Sequence, residues 1–451
     1  MSSLTADLGR FVTNLTLREV PEQGRHIAKM GIADCFGVMI AGARDPEIAL
    51  VDRELGSADR APLASLIPSG GNRNVDVAAL LNGIAAHVLD YDDVTLDGHP
   101  SAVLVPAILA QGEASGASGA EMLAAYIAGY EVWAELLVRE PTPLHLKGFH
   151  PTAVRGAIGA AAACAKLLRL DAATTSTALA ISASMASGLV ANFGSMTKSF
   201  QVGRAAQSGV IAARLAEAGL TASSDALEHE SGFLMALSPD GKAEPGRPFD
   251  AAKKEWHITR QGLNIKRYPI CYATHRSIDA ALDLITEHDL RPKDVERIHV
   301  STGKAQLLML RNAKPQTGLE AKFSMQFAMA SALVARHVGL AELTDAFVRS
   351  PEVQAIFPRV TFETTTETME GSAFAPADAV AITTVGGKTL KAPPVVHAKG
   401  SHQRPLSSEE LWVKFADCLG EEVPESAKSR AFSNLTNFDR LNGTGDLTLG
   451  C

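Results

Sequence analysis

The chain is poor in cysteine: its 451 residues include only Cys35, Cys164, Cys271, Cys418 and Cys451. They are odd in number and widely spaced, and no CxxC occurs. That speaks against a zinc ribbon and a disulfide framework and points to a reducing cytosol. Nor do they stand in register for an iron–sulfur cluster. Cations are in deficit too. Lys and Arg total 42 against 50 Asp and Glu, a net charge of -8, so no basic face for nucleic acid is expected. A local cationic pocket for an acidic substrate is still compatible with that balance. Nucleotide signatures are missing, because "GAIGAA" follows no strand and there is no P-loop. The opening "MSSLTADLGRF" has no basic stretch followed by an apolar one, so no signal peptide is expected and a cytoplasmic location is. Ala172 to Thr197 lacks charge for 26 residues. Its Ser, Thr and Asn content makes it a buried helix followed by a loop rather than a membrane span, and no membrane partner is expected.

What is present is helix after helix. "PEQGRHIAKMGIADCFGVMIAGA", "VDVAALLNGIAAHVLD", "SAVLVPAILAQGEAS", "GAEMLAAYIAGYEVWAELLV", "TAVRGAIGAAAACAKLLRL", "AATTSTALAISASMASGL" and "GRAAQSGVIAARLAEAG" carry apolar residues at helical spacing. Gly, Pro or Asp marks the breaks. Faces rich in Ala, Gly and Ser let helices pack closely, so a compact bundle is expected. Near residue 265 the texture changes. "VERIHVSTG", "RVTFETTT" and "DAVAITTVGGKTLKAP" alternate like strands, the last with Gly386-Gly387 as a hairpin signal. Helical runs "THRSIDAALDLITEH" and "SMQFAMASALVARHVG" interleave with them, and "PLSSEELWVKFADCL" returns to helix. The expected fold is mainly α. Residues 1–265, joined by 398–451, form a large all-helical domain, and 266–397 form a smaller α+β domain.

One segment stands out. "DYDDVTLDGHPSAVLVP" packs Asp90, Asp92, Asp93 and Asp97 into eight residues and then sets His99 against a proline and an apolar run. "HPSAV" at 99–103 recurs as "HPTAV" at 150–154. Proline favours the first helical position, and the residue before it is pushed out of helical geometry. His99 and His150 should therefore sit at helix N-caps. Free N–H groups and about half a positive charge collect there, which attracts carboxylates and disfavours imidazolium. Two such starts facing one cavity would make a polycarboxylate site with neutral histidine bases. Further polar clusters are Lys198 and Arg204 in "NFGSMTKSFQVGRAA", His145 and Lys147 in "LHLKGFHP", and Lys266, Arg267, Tyr268, Cys271, Tyr272, His275 and Arg276 in "NIKRYPICYATHRSID". His87, Asp90, Asp92, Asp93 and His99 have the residue types for a metal, but their spacing matches no known ligand set, and no metal is expected.

Together "LDYDDVTLDGHPSAVLVPA", "GFHPTAVRGAIGAAAA", "NFGSMTKSFQVGRAAQSGV", "IKRYPICYATHRSID" and "AKFSMQFAMA" resemble the MmgE/PrpD family over about residues 5 to 420. That family includes 2-methylcitrate dehydratases, cis-aconitate decarboxylases and iminodisuccinate epimerases. They share a substrate with two or three carboxylates and a proton moved at a carbon next to one. The resemblance implies an all-helical domain with an α+β lid, a homodimer and no metal or organic cofactor. It marks Asp90, His99, His150, Lys198 and His275 as catalytic candidates. Lys266, Tyr268, Thr95, His145 and Arg204 are substrate-binding candidates from the same segments. The chain departs from the family in three places. Val94 stands where a threonine is common, with Thr95 next to it. Gln201 replaces a histidine three residues after the lysine. His145 stands where epimerase-like members have a tyrosine.

The chemistry implied is cofactor-independent proton transfer next to a carboxylate. His99 and His150 would be the acid/base pair, with Asp90 orienting one imidazole. Lys198 would bind a carboxylate or serve as the base, and His275 would complete the site when the lid closes. A 2-methylcitrate dehydratase-like hydro-lyase leads this reading. A cis-aconitate decarboxylase-like lyase, a dicarboxylate epimerase and a non-catalytic polycarboxylate-binding protein are the alternatives.

Overall fold

The computed structural model describes residues 3–69, 71–250, 254–369 and 374–449. They contain nineteen α-helices, a two-stranded ribbon and a four-stranded sheet, a mainly α fold with a smaller α+β part. The chain divides into two compact units, Met1–Asn264 with Glu409–Cys451, and Ile265–Ser408.

The first unit is built around Thr197–Glu217, against which Val75–His87, Pro100–Ser115, Pro151–Leu167 and Ala172–Met185 pack. Small residues set the approach. A Cβ on Gly83 would lie 2.7 Å from the Gly203 Cα, and one on Gly203 would lie 2.3 Å from the Leu80 carbonyl. Only hydrogen at both positions lets Val75–His87 cross Thr197–Glu217 this closely. The crossing leaves His87, one turn after Gly83, on the helix that packs against the one starting with Thr197 and Lys198. The unit is not purely helical. Leu63–Ser65 pairs antiparallel with Asn72–Asn74. Ala172–Met185 stops short of a 3-10 turn at Val190–Asn192, as the polar content of that uncharged run requires. Among the described residues no single helix is long and apolar enough to cross a bilayer. Glu22–Gly42 and Pro46–Leu55 pass only as a pair bent by 85°.

In the second unit Val295–Gly303 runs parallel to Val360–Thr365 and antiparallel to Ala379–Thr384, which continues through the Gly386-Gly387 turn into Thr389–Lys391. His275–Glu287 and Met325–Val334 pack together, and the former also packs on Ala379–Thr384. Cys35, Cys164 and Cys418 are free and buried, and Cys271 is buried. Cys451 lies outside the described residues.

The helix Ser408–Leu419 does more than fill space. Its Lys414 Nζ lies 2.5 Å from Asp34 Oδ1, donates to the Tyr91 carbonyl at 2.8 Å and sits 4.0 Å over the Tyr91 ring. The Lys414 side chain is 4% exposed and that of Asp34 1%. This buried cation pins the aspartate-rich segment from below. Removing one member of such a pair leaves the other charge without compensation, at a cost of roughly 3–5 kcal/mol. Lys414→Met should lower stability by that amount in urea unfolding, and adding Asp34→Asn should recover part of it. A single variant as stable as wild type would contradict this account.

Candidate active site

Every aspartate of the 90–97 segment has its own partner. Asp90, held at φ 53°, accepts from Lys198 Nζ at 2.8 Å. Asp92 is fully buried and accepts from His87 Nδ1 at 2.9 Å and from His99 Nδ1 at 3.0 Å. Asp93 accepts from the Ser101 hydroxyl and, at 3.3 Å, from the Ser101 amide. It thus serves the first turn of Pro100–Ser115 from outside the helix. Asp97, also left-handed at φ 57°, faces the buried Arg155 at 3.3 Å. Backbone bonds fix the rest of the loop. Val94 pairs with Asn264, Thr95 with Gly98, and Trp133 Nε1 donates to the Leu96 carbonyl at 3.1 Å.

His99 and His150 are indeed N-caps, each followed by proline in the first turn. Their helices pack against each other. A Cβ on Gly98 would lie 2.9 Å from Thr152 Oγ1, so the two helix starts are neighbours. His87 joins them from the end of Val75–His87. Its ring lies 4.5 Å from His99 and 6.3 Å from His150. His150 Nδ1 donates to Gln201 Oε1 at 2.9 Å. Gln201 Nε2 in turn donates to the Leu189 carbonyl at 3.2 Å, which fixes the amide with its oxygen toward the imidazole. Gln201 therefore supplies an orienting acceptor where the family commonly has a histidine. Phe193 packs its edge on His150 at 4.8 Å and lies 5.6 Å from Lys198 Nζ.

The electrostatics follow from burial. Desolvation pushes His87 down to about 4, against the opposing pull of Asp92. Burial also holds His150 well below the usual imidazole range, helped by His87 and Lys198 nearby. Both rings are neutral at pH 7 and can accept a proton. Burial alone would raise Asp92, but the imidazoles of His87 and His99 outweigh it and hold the carboxyl well below its usual range. Burial raises Asp93 to about 8, and the charges of Asp92 and Asp34 add to that. Of two adjacent buried carboxyls, one is ionised and one keeps its proton.

The other expected site residues are placed as follows. Thr95 is buried in the loop and its side chain meets the Tyr130 hydroxyl. His145 is 44% exposed and 4.0 Å from Asp97, apart from the imidazole group. Arg204 donates to Gln207, which donates to Asp76, so it belongs to a separate polar chain. Asp90 meets Lys198 Nζ at 2.8 Å. In the second unit Lys266 is buried and Tyr268 donates to Asp279 at 2.7 Å. His275 is fully buried, packs against Tyr268 and Tyr272 and has Nε2 3.2 Å from the Ile270 carbonyl. The sequence reading missed His87, Asp92 and Gln201 as site residues. The motif for His87 and Asp92 was in plain view, a histidine closing a helix five residues before an aspartate. His87, Asp92 and His99 also offer ligand atoms within 4.8 Å of one another, close enough for a cation, although Asp92 already receives both Nδ1–H groups.

The helical unit thus groups the buried imidazoles of His87 and His150 with His99 and with Lys198, the second residue of Thr197–Glu217. The chain belongs to the MmgE/PrpD family. The family's N-terminal domain model matches residues 6–246 and its C-terminal domain model residues 268–437. A human cis-aconitate decarboxylase is 30% identical over 75% of this chain and 71% of its own length. The mouse cis-aconitate decarboxylase is 32% identical over 63% of this chain and 60% of its own length. One from Aspergillus terreus is 25% identical over 98% and 94%.

The Asp93 titration gives a test. The folded carboxyl titrates near 8 and an unfolded one near 3.9. The folded state therefore holds the extra proton between those values, and its stability falls as pH rises through that window. Asn mimics the protonated form and does not titrate. The stability of wild type relative to Asp93→Asn should fall by on the order of 1 kcal/mol per pH unit between about 4 and 8, measured by urea unfolding at each pH. A difference that does not change with pH would show that Asp93 is ionised in the fold.

Proposed function

We propose that this protein is a lyase acting on a small tricarboxylate by proton transfer at a carbon next to a carboxylate, using its own side chains. The observation that carries the reading is the grouping of neutral His150 and His87 with His99 and the Lys198–Asp90 pair at two helix N-termini. The relatives' names put decarboxylation of cis-aconitate ahead of dehydration of a 2-methylcitrate-like acid as the specific reaction.

In a decarboxylation the bond to the departing carboxylate carbon breaks as CO2 leaves. Its electron pair passes into the adjacent unsaturated carboxylate, and a proton is then delivered to carbon. The charge that develops on the remaining carboxylates needs cationic and N–H donors already in place, usually the largest single contribution. Lys198 Nζ supplies a cation, and the positive ends of the Pro100–Ser115 and Pro151–Leu167 dipoles add to it. Asp90 holds the ammonium in position until a substrate carboxylate competes for it. His99 or His150, having taken a proton from solvent at Nε2, delivers that one proton to carbon after CO2 leaves. In a dehydration the same pair would divide the work, one removing the proton next to the carboxylate and the other protonating the leaving hydroxyl.

His150→Gln and Lys198→Ala should each lower turnover by at least about 100-fold, the usual scale for loss of an acid/base group. With cis-aconitate the wild type should release CO2. With a 2-methylcitrate-like acid, absorbance from a new C=C would mark dehydration instead. Wild-type rates in both folded variants would sink the residue assignment. Thermal stabilisation by tricarboxylates with no product from any of them would establish a binding protein instead.

A further inference from the structure

His87 is an imidazole that the chemistry above does not require. It is 2% exposed, its Nδ1 faces Asp92, and its Nε2 is buried without a hydrogen-bond partner. Asp92 is equally enclosed and has a second histidine on the same oxygen. Oδ2 lies 2.9 Å from His87 Nδ1 and 3.0 Å from His99 Nδ1. An ionised carboxylate has no hydrogen to give, so both ring nitrogens must be donors. His99 Nδ1 also lies 2.8 Å from the Asp93 carbonyl, another acceptor with no hydrogen. Both contacts therefore require a proton on Nδ1 of His99, which in the neutral ring leaves the lone pair on Nε2. The same logic fixes His87.

We propose that Asp92 is a positioning residue that orients two imidazoles at once, so that His99 presents its Nε2 lone pair to substrate and His87 forms the wall that holds the His99 ring in place. The proposal rests on the lyase reading for its catalytic consequence but not for its structural one. A carboxylate that fixes a histidine's tautomer raises the basicity of the far nitrogen and removes the freedom to flip. Here one buried charge does this for two rings. It also explains why Asp93, its neighbour, keeps its proton: two adjacent buried carboxylates would repel, and only Asp92 has two imidazoles to compensate it. His87, edge-on to His99 at 4.5 Å, stays in place only while Asp92 accepts from it.

Asp92→Asn tests this with little change of shape. An amide turned either way sets an NH2 group within 3.1 Å of His87 Nδ1, whereas His99 Nδ1 keeps the Asp93 carbonyl as an acceptor. One of the two rings is then driven to carry its proton on Nε2. Nitrogen NMR of histidine-labelled protein without substrate should show Nδ1 protonated and Nε2 unprotonated for both His87 and His99 in wild type. One of the two should reverse in Asp92→Asn. The turnover number for the tricarboxylate should fall by at least about 100-fold with KM changed by less than about threefold, because the binding groups are untouched. Wild-type protein with Nε2 protonated on His87 or His99 would overturn the proposal without any variant, even if Asp92→Asn failed to fold. A folded variant with both tautomers unchanged, or with full turnover, would overturn it as well. If no tricarboxylate is turned over by wild type, the lyase reading fails and the tautomer result still decides the role of Asp92.

Discussion

The site depends on one buried carboxylate. Asp92 carries the charge against which His87 and His99 are set, and that choice propagates outward. With Asp92 ionised, Asp93 keeps its proton and turns to Ser101 at the start of Pro100–Ser115. With His87 and His99 pinned, the third imidazole, His150, needs its own acceptor and finds it in Gln201. The loop that carries Asp92 survives as a charge-dense buried segment only because each aspartate is answered by a separate donor: Lys198, the two imidazoles, Ser101 and Arg155. An unpaired charge at any of these positions would cost several kcal/mol.

The fold serves this arrangement by bringing helix ends together. Gly83 and Gly203 let two helices touch backbone to backbone, which packs the helix that ends at His87 along the one that begins with Lys198. Gly98 does the same for the two His-Pro starts. From the far end of the chain, Lys414 reaches under the loop through Asp34 and Tyr91. The grouped imidazoles and Lys198 thus come from helix termini, and each is steadied by a residue from another part of the chain.

What the sequence made legible follows from local rules. The helices, the strands after residue 295 and the histidine N-caps are encoded by periodicity, by β-branched runs and by proline at the first helical position. These need no knowledge of the tertiary fold. His99, His150, Lys198 and Asp90 were recognisable for that reason together with the family motifs. The roles of Asp92, His87 and Gln201 were not. Asp92 meets His87 across a helix end and a left-handed residue at Asp90, and Gln201 meets His150 across 51 positions. Spacing alone does not show such contacts. Nor does spacing show the contacts of His145 with Asp97 and of Arg204 with Gln207.

The central proposal is that these imidazoles move a proton at a carbon beside a carboxylate. Proton NMR of cis-aconitate incubated with the enzyme in deuterium oxide tests that most directly. The prediction is loss of CO2 with deuterium incorporated at a carbon of the product, or, short of net reaction, deuterium exchanged into a carbon next to a carboxylate. Folded enzyme that leaves cis-aconitate and methylcitrate unchanged, with no deuterium at any carbon, would contradict it.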